Sequence, residues 1–327
     1  MNIRRGIALL AAGVVAAAAA APAWGQATRT WVSGVGDDAN PCSRTAPCKT
    51  FAGAITKTAA GGEINCLDPG GYGAVTITKS MTISCPYTEG GALAGGNGIT
   101  INDGTSATPN TAVVYLRGLD IFGVNPPTHG VRFVAGAALH IEDSVIRRFN
   151  SANSHGVSFQ PGGAAKLYIS NSTIADNGNG SSGGGIVIQP TGGGSARAVL
   201  KNVRVHNNAN IGIRVDTTGN TGGASVTIDD SVIAGSDGGV AVIADTAAIR
   251  TMVTDSVIAN NGKYGLGASG DGSTVYVGGT TITGNALGVA AEKGSNIVSY
   301  GDNRVDGNPA SGEPADGAFT GSPRPRR

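Results

Sequence analysis

Acidic residues recur in this chain inside one short motif. The tetrapeptide Asp-Ser-Val-Ile begins at Asp143, at Asp230 and at Asp255, and the related Asn-Ser-Thr-Ile begins at Asn171. Two carboxylates that lie close together either raise the pKa of one of them or recruit a cation. Paired carboxylates also supply the acid and base of glycoside hydrolysis. The motif therefore predicts a cation site or an acid–base pair wherever two copies are neighbours in the fold.

Arginine, histidine and tyrosine are concentrated in the middle of the chain. Between Arg117 and Arg214 there are nine basic residues against four acidic ones, and all four histidines lie in this stretch. Arginine pairs with carboxylates and sulfates, and a tyrosine ring offers an apolar face with a polar tip. This composition predicts a groove for an acidic glycan, whose binding residues are Tyr115, Arg132, His140, Tyr168 and Arg214.

Catalysis in such a groove needs two functions. One group must neutralise a uronate carboxylate, and a second must remove the proton from C5 of the sugar. The alternative interpretation is that these side chains are ordinary solvated residues of an outer face. The catalytic candidates are His129, His155, Arg132, Arg147 and Arg214.

The elements that would position these residues belong to an internal repeat. Aligned on the residue after the Asp or Asn of the motif, eight copies follow one another at 25, 28, 31, 28, 25, 24 and 23 residues. Most copies carry an aliphatic residue three positions before this anchor, all carry one two positions after it, and a second alternating strand begins about ten residues later. Short strands with such a period predict a parallel β-helix of about ten coils, stacked about 4.8 Å apart. The anchors are Leu119, Ser144, Ser172, Val203, Ser231, Ser256, Thr280 and Asn303.

Stacked coils place equivalent residues in columns. The acidic residue of the motif is replaced by Asn at Asn171 and Asn202 and by Gly at Gly118 and Gly279, which indicates a turn position. A second column, five residues after the anchor, is occupied mainly by Asn and predicts a side-chain hydrogen-bond ladder. It contains Asn177, Asn208, Asn261, Asn285 and Asn308, with Phe149 and Ser236 as exceptions.

Two further consequences follow from the columns. Asp230 and Asp255 fall in adjacent coils, so they are the candidate metal ligands; the sequence requires no cofactor, and calcium is the metal that two such carboxylates would suit. Strand alternation directs Arg132 and Arg214 outward and brings His129 next to His155.

The start of the chain has the pattern of a secretory signal peptide. Met-Asn-Ile-Arg-Arg precedes an apolar run from residue 6 to 21, which is short for a membrane span, and Ala-Trp-Gly precedes Gln26. We therefore expect a signal peptide over residues 1–25 and a secreted or periplasmic protein without a membrane span. The rest divides into an extension with a capping helix at 26–62, the β-helix at 63–308 and a disordered tail at 309–327.

All four cysteines lie in the first quarter of the chain. In an exported protein an even number favours disulfides, and no C-x-x-C pair or nearby His supports zinc. We expect Cys42 to pair with Cys48, and Cys66 with Cys85. Residues 66 and 85 occupy equivalent positions in adjacent coils, so their Cα atoms would lie about 4.8 Å apart, within reach of a disulfide.

The N-terminal part resembles a known family. Trp31-Val32-Ser33, the segment Asp37-Asp38-Ala39-Asn40-Pro41, Pro47-Cys48-Lys49-Thr50-Phe51 and Pro69-Gly70-Gly71-Tyr72 are similar to the start of right-handed parallel β-helix repeat proteins of the pectin-lyase-like superfamily. The resemblance spans roughly residues 30 to 308. It implies a right-handed β-helix. An exposed solenoid end needs covering, and residues 49–60 have the pattern of an amphipathic capping helix with Phe51, Ile55 and Ala59 on one face.

No enzyme signature of that superfamily carries over. Polygalacturonase-like enzymes have N-T-D, D-D, G-H-G and R-I-K in order; this chain has only Asp229-Asp230 and, before it, Ser154-His155-Gly156. The R-x-P-R context of pectate-lyase-like enzymes has a counterpart only in the tail. Because one fold hosts lyases, hydrolases and adhesins, two hypotheses stay open: an exported protein that binds or cleaves an acidic polysaccharide, and a non-catalytic structural or adhesion module.

The overall charge excludes one class of partner. The chain has 23 Lys and Arg residues against 22 Asp and Glu, so nothing suggests a general nucleic-acid binder. An acidic polysaccharide is the partner that the local charge favours, and the sequence gives no indication of the oligomeric state.

Overall fold

The strands of this protein stack into three parallel sheets that wind around one apolar core. The structure is a computed structural model and describes residues 25–308 and 316–321; the expected signal peptide lies outside the described residues, apart from Gly25. Every strand pairs in parallel with its equivalent one coil away, so the predicted all-β parallel β-helix of about ten coils is confirmed. Among the described residues there is one helix, α1, Phe51–Lys57.

Sheet A contains eleven strands and includes the end strand of the N-terminal side. Its strands, in spatial order, are β1 Ala27–Val32, β2 Thr58–Cys66, β5 Met81–Ser84, β8 Val113–Arg117, β11 Ala138–Glu142, β14 Ala164–Ser170, β17 Ser195–Lys201, β20 Ala224–Asp229, β23 Ile249–Thr254, β26 Ser273–Gly278 and β29 Asn296–Ser299.

Sheet B contains ten strands, most of them three residues long, and all but the first two follow the turn that contains Asp, Asn or Gly. They are β3 Gly70–Gly71, β6 Gly90–Gly96, β9 Asp120–Pro127, β12 Val145–Arg147, β15 Thr173–Ala175, β18 Arg204–His206, β21 Val232–Ala234, β24 Val257–Ala259, β27 Thr281–Thr283 and β30 Arg304–Val305.

Sheet C contains nine strands and completes each coil. They are β4 Val75–Ile77, β7 Ile99–Asn102, β10 His129–Ala135, β13 His155–Phe159, β16 Gly184–Ile188, β19 Ile211–Asp216, β22 Gly238–Ile243, β25 Tyr264–Ser269 and β28 Leu287–Glu292. The turns from sheet B to sheet C and from sheet C back to sheet A both vary in length, whereas the turn from sheet A to sheet B is short in most coils, so these two turns account for the variable repeat length.

The motif that opens each sheet B strand is a backbone turn. Asp143, Asp230 and Asp255 have φ of 50°, 49° and 47°, and the glycines of the same column have φ of 64° and 60°. This is the left-handed region, which Asn, Asp and Gly tolerate best. The anchor serine is buried, and its hydroxyl accepts from a backbone N–H one coil earlier, as Ser172 does from Ser144 at 3.1 Å. The repeated carboxylate is therefore a scaffold residue.

The predicted asparagine ladder runs through the interior beside sheet C. The Asn177 side chain donates to Oδ1 of Asn208 at 2.9 Å, and Asn285 donates likewise to Asn308 at 3.1 Å. Each amide packs against the glycine at the second position of a sheet C strand: a Cβ on Gly185 would lie 3.0 Å from Nδ2 of Asn208. The Asn and Gly columns therefore depend on each other, because each Asn amide occupies the space that a Cβ on the glycine would fill.

Both predicted disulfides are confirmed, Cys42 with Cys48 and Cys66 with Cys85, the second pair with Cα atoms 4.9 Å apart. The capping helix is shorter than the pattern over 49–60 indicated. It ends at Lys57 because Thr58 takes extended φ and ψ and begins β2, which also contains Ala59. Phe51 is fully buried against Tyr72, with ring centroids 5.3 Å apart, so the helix still contributes to the N-terminal packing.

Part of the expected disordered tail packs on the last coil. Gly317 bridges to Val289 and Gly321 to Val298, and the Asp316 carboxylate accepts from the Asn308 amide at 2.9 Å. Asp316 thereby supplies the acceptor that a further coil would otherwise supply. Residues 309–315 and 322–327 lie outside the described part of the chain.

Replacing Ser236 by Asn should stabilise the protein. Ser236 interrupts the ladder, its hydroxyl is buried without a partner, and Gly212 opposite it leaves 3.5 Å between a Cβ and Oγ. An Asn amide there can bond to both Asn208 and Asn261, so we expect about 1 kcal/mol of added stability and a melting temperature higher by about 2 to 4 °C. Thermal unfolding followed by circular dichroism measures it.

Two comparison variants make this test specific. Ser225→Asn changes the same side chain on the exposed face of sheet A and should leave the melting temperature nearly unchanged. Asn285→Ala removes ladder bonds and should cost about 2 kcal/mol. A lower melting temperature for Ser236→Asn would show that the ladder does not govern stability in this way.

Candidate functional site

The outer face of sheet C carries a shallow groove that crosses several coils. In register, its outward column reads Arg132, Ser158, Val187, Arg214 and Ala241. Ser158, Val187 and Ala241 are almost fully buried although they point away from the core. The larger side chains around them therefore form the walls of a recess whose floor is made of small residues.

The deepest part of this recess is a cavity of about 320 Å³. It forms because the column that holds His129 and His155 continues with Gly184, which has no side chain to fill the space. The lining includes His129, His155, Ser158, Gln160, Gln189 and Arg214. The structure thus brings three of the predicted residues into the cavity lining, His129, His155 and Arg214. A fourth, Arg132, lies beside the cavity as the register neighbour of Ser158.

The two histidines are neutral members of the site. Their rings are stacked with centroids 5.7 Å apart, and the backbone N–H of His155 donates to Nδ1 of His129 at 3.2 Å. Burial lowers the pKa of His129 to about 4, assisted by the charge of Arg132. Burial likewise lowers the pKa of His155 to about 4, assisted by His129 and Arg214. At neutral pH both imidazoles offer hydrogen bonds without charge.

Two polar atoms of the cavity have no hydrogen-bond partner among the described residues. They are Nδ1 of His155 and the hydroxyl oxygen of Ser158, and both are buried. The backbone carbonyl of Asn153 acts on the His155 ring and partly offsets the lowering of its pKa, but it forms no hydrogen bond of good geometry with Nδ1. Buried polar atoms are normally paired, so an unpaired one marks a place where a ligand can supply the missing partner. Beside them the amide of Gln160 donates to that of Gln189 at 2.8 Å, which places further donors and acceptors along the groove.

The two arginines of the groove differ in their charge balance. Nε of Arg214 lies 3.0 Å from Oδ2 of Asp216, whose side chain is 1% exposed, so this charge is compensated internally. Arg132 is exposed and forms no ion pair among the residues that the structure describes. The cavity therefore has one uncompensated positive charge at its edge.

The groove continues towards later coils. Tyr264 lies over Gly238 and Gly267, where an added Cβ would come within 2.6 and 2.9 Å of its ring. A second depression of about 300 Å³ beside this ring has a floor of Gly267 and Ala290. Small residues at these positions thus allow a half-buried tyrosine to lie against the sheet.

The structure does not place the tyrosines of the predicted groove beside its arginines. Tyr115, His140 and Tyr168 lie on sheet A, where their rings stack with centroids 4.3 and 4.6 Å apart. Their column belongs to strands β8, β11 and β14, whereas Arg132 and Arg214 belong to sheet C. The repeat phase already assigns the first group to the strand before the anchor and the arginines to the second strand of the coil. The predicted single groove combined these two outward faces, which the structure shows to belong to different sheets.

Arg147 also lies away from the cavity. It is on sheet B, where it forms a two-bond ion pair with Asp120 at 3.1 and 2.7 Å and covers the ring of Phe122 at 4.8 Å. These contacts engage the guanidinium within the coil stack. Its role as a catalytic candidate has no support from its position.

Asp230 and Asp255 are exposed turn residues near the ammonium group of Lys201. The ammonium of Lys201 lies 2.6 Å from Asp229, and its pKa is raised chiefly by that hydrogen bond, with smaller contributions from Asp230 and Asp255. Among the described residues no group of three or more metal-binding side chains is found. Calcium at Asp230 and Asp255 stays a prediction, but Lys201 already supplies positive charge there.

Several groove residues were missed from the sequence. Ser158, Gln160, Gln189 and Tyr264 carry no motif, and they acquire meaning only once the register is known. Comparing the outward columns of sheet C would have found the histidine column ending at Gly184 and the small residues that form the floor.

A family model and one solved structure agree with this architecture. The family model described as "Right handed beta helix region" matches residues 65–282 and 163–318. A crystal structure of pectate lyase Pel9A is similar with a TM-score of 0.54 at 14% identity, over 87% of this chain and 81% of that one. A rhamnogalacturonan lyase structure aligns with a TM-score of 0.34 at 11% identity, over 85% and 86% of the two chains. No curated protein matches the chain. Within the described part, no helix has the length and apolar character that a membrane span requires.

The histidine pair should make stability depend on pH. Both folded pKa values, about 4, lie below the ordinary 6.5, so between these values the unfolded chain binds more protons. The stabilisation is complete above pH 6.5 and is lost as the pH falls towards 4, with a loss of roughly 2 kcal/mol per histidine by pH 5.0. Urea unfolding at pH 7.0, 6.0 and 5.0 measures the slope.

The double variant His129→Gln, His155→Gln serves as the reference for this slope. It should show a flatter dependence on pH over the same range. Parallel slopes in the native and variant proteins would contradict the buried, neutral state of the pair.

Proposed function

This chain belongs to the right-handed β-helix region family, and from that premise we propose that it binds an acidic polysaccharide along the outer face of sheet C. The observation that carries the proposal is the cavity that contains the unpaired His155 Nδ1 and Ser158 Oγ, next to the exposed Arg132, which is the register neighbour of Ser158. Uncharged donors and acceptors suit sugar hydroxyls, and an arginine suits a carboxylate or sulfate.

The shape of the groove favours a polymer over a small ligand. The outward column passes from Arg132 to Ala241 through five adjacent strands, which corresponds to roughly 19 Å at about 4.8 Å per strand. An extended chain parallel to the coil axis can contact Arg132 with an acidic group and pack a sugar ring on Tyr264. The fold similarity to a pectate lyase makes pectate the first polysaccharide to test.

Binding fits the chemistry of the site better than cleavage does. A general base works best when its pKa is near the working pH, whereas His129 and His155 have pKa values of about 4. The charge of Arg214 is already balanced by Asp216. Cleavage by a lyase mechanism is the second candidate, favoured by the unpaired Nδ1 of His155.

Export is part of the proposal. Two disulfides and no free cysteine among the described residues suit an oxidising compartment. An N-terminal signal peptide, as the sequence predicts, would deliver the chain there.

Arg132→Ala should weaken binding of sodium polygalacturonate. The variant removes the uncompensated charge of the groove without leaving a buried partner unpaired, and we expect a loss of about five- to tenfold in affinity. Isothermal titration calorimetry measures it, with amylose as the uncharged polymer. Arg204→Ala is the matched control, because Arg204 is an exposed arginine on sheet B.

Equal loss in the two arginine variants, or equal binding of polygalacturonate and amylose, would contradict the proposal. The same incubations report on cleavage through absorbance of unsaturated products and through reducing ends, with and without calcium. Turnover that disappears in His155→Gln would replace binding by the lyase candidate.

A further inference from the structure

Sheet A carries a row of cations that the fold leaves without partners. The outward column nearest the start of its strands reads, in register, Lys166, Arg197, Ser225 and Arg250. All four residues are exposed. Lys166 and Arg197 are direct neighbours on adjacent strands, and Arg250 follows after one serine.

Elsewhere on sheet A each charged strand residue faces a residue of opposite charge. Arg29 faces Glu63, Arg117 faces Glu142, and Lys201 faces Asp229, with ion-pair distances of 3.6, 2.9 and 2.6 Å respectively. These are the register partners given by the sheet pairing. Every other Lys, Arg, Asp or Glu in the strands of this sheet therefore opposes an opposite charge.

The column of Lys166, Arg197 and Arg250 is thus the exception within sheet A, because its charges face no opposite charge. Like charges directly opposite one another on neighbouring strands are destabilising. None of Lys166, Arg197 and Arg250 forms an ion pair with any residue in the described ranges. An external anion with charges along a line would remove the repulsion.

The neighbouring column limits what that anion can be. Tyr115, His140 and Tyr168 stack on one another, which covers both faces of His140 and one face of each tyrosine. Binding of single-stranded nucleic acid depends on ring faces on which bases can stack. The guanidinium of Arg117 lies over the ring of Tyr115 at 5.0 Å, and Val199 is the register neighbour of Tyr168. The column therefore leaves few ring faces for bases, whereas its ring edges and polar tips suit hydroxyl groups.

We propose that the outer face of sheet A is a second binding surface, for a linear polysaccharide that carries sulfate or carboxylate groups on successive units, lying along the column of Lys166, Arg197 and Arg250. It is on a different sheet from the groove of sheet C, so the two surfaces can bind separate polymer segments. The inference does not depend on the groove, because it uses none of its residues.

Arg197→Glu tests the surface with little risk to the fold. The new carboxylate faces Lys166 in register and restores the opposite-charge pairing seen elsewhere on the sheet. With dextran sulfate as the probe, we expect the affinity to fall by about fivefold or more, and the remaining binding to depend less on salt. Arg204→Glu on sheet B makes the same change in net charge and should reduce affinity by less than about twofold.

Three outcomes overturn the proposal. The first is an equal loss of affinity in Arg197→Glu and Arg204→Glu, which would mean a net-charge effect only. The second is an unchanged affinity in Arg197→Glu. The third is an oligothymidylate that binds as tightly as dextran sulfate and whose binding is lost in Arg197→Glu. Arg132→Ala in the same assay separates the two surfaces, since a loss there with none in Arg197→Glu would assign dextran sulfate to the groove. Circular dichroism melting of each variant checks that the fold is kept.

Discussion

The register between successive coils is the constraint on which the rest of this structure depends. Each coil buries its aliphatic side chains on those of its neighbours and satisfies its buried Ser and Asn groups with theirs. A coil that slipped by one residue would turn its apolar set outward and break both ladders at once. Because register is held this tightly inside, outward residues are fixed in columns. Binding surfaces can then be built by substitution at outward positions without disturbing the core.

The acidic motif illustrates how this constraint separates scaffold from function. Asp143, Asp230 and Asp255 take left-handed backbone conformations in which Asn and Gly replace them. Repetition here reflects a turn that every coil must make. Residues suited to binding occur instead where a column departs from its own pattern. Gly184 follows His129 and His155 in one column and leaves space for the cavity. Arg197 faces Lys166 on a sheet that elsewhere pairs opposite charges.

Much of the fold could be predicted from the sequence because the same residue pattern recurs in every coil. The period of the anchors gave the coils, and the interval between Cys66 and Cys85 gave a disulfide between adjacent ones. The candidate site was less readable, since its parts are single events. Alternation directs Arg132 outward, but it does not show how far the face of the second strand lies from that of the strand before the anchor, which carries Tyr168. The ion pair between Arg214 and Asp216 depends on local side-chain packing. The end of the helix at Lys57 likewise depends on the backbone of Thr58, which a hydrophobic pattern does not report.

The central claim is that an acidic polysaccharide occupies the recess formed by the outward column of sheet C. A crystal structure of the protein with a short galacturonate oligosaccharide tests it most directly. The account predicts a sugar within hydrogen-bonding distance of His155 Nδ1 and Ser158 Oγ, with a carboxylate at Arg132. A sugar bound only on sheet B, or a cavity that stays empty while the oligosaccharide binds elsewhere, would contradict it.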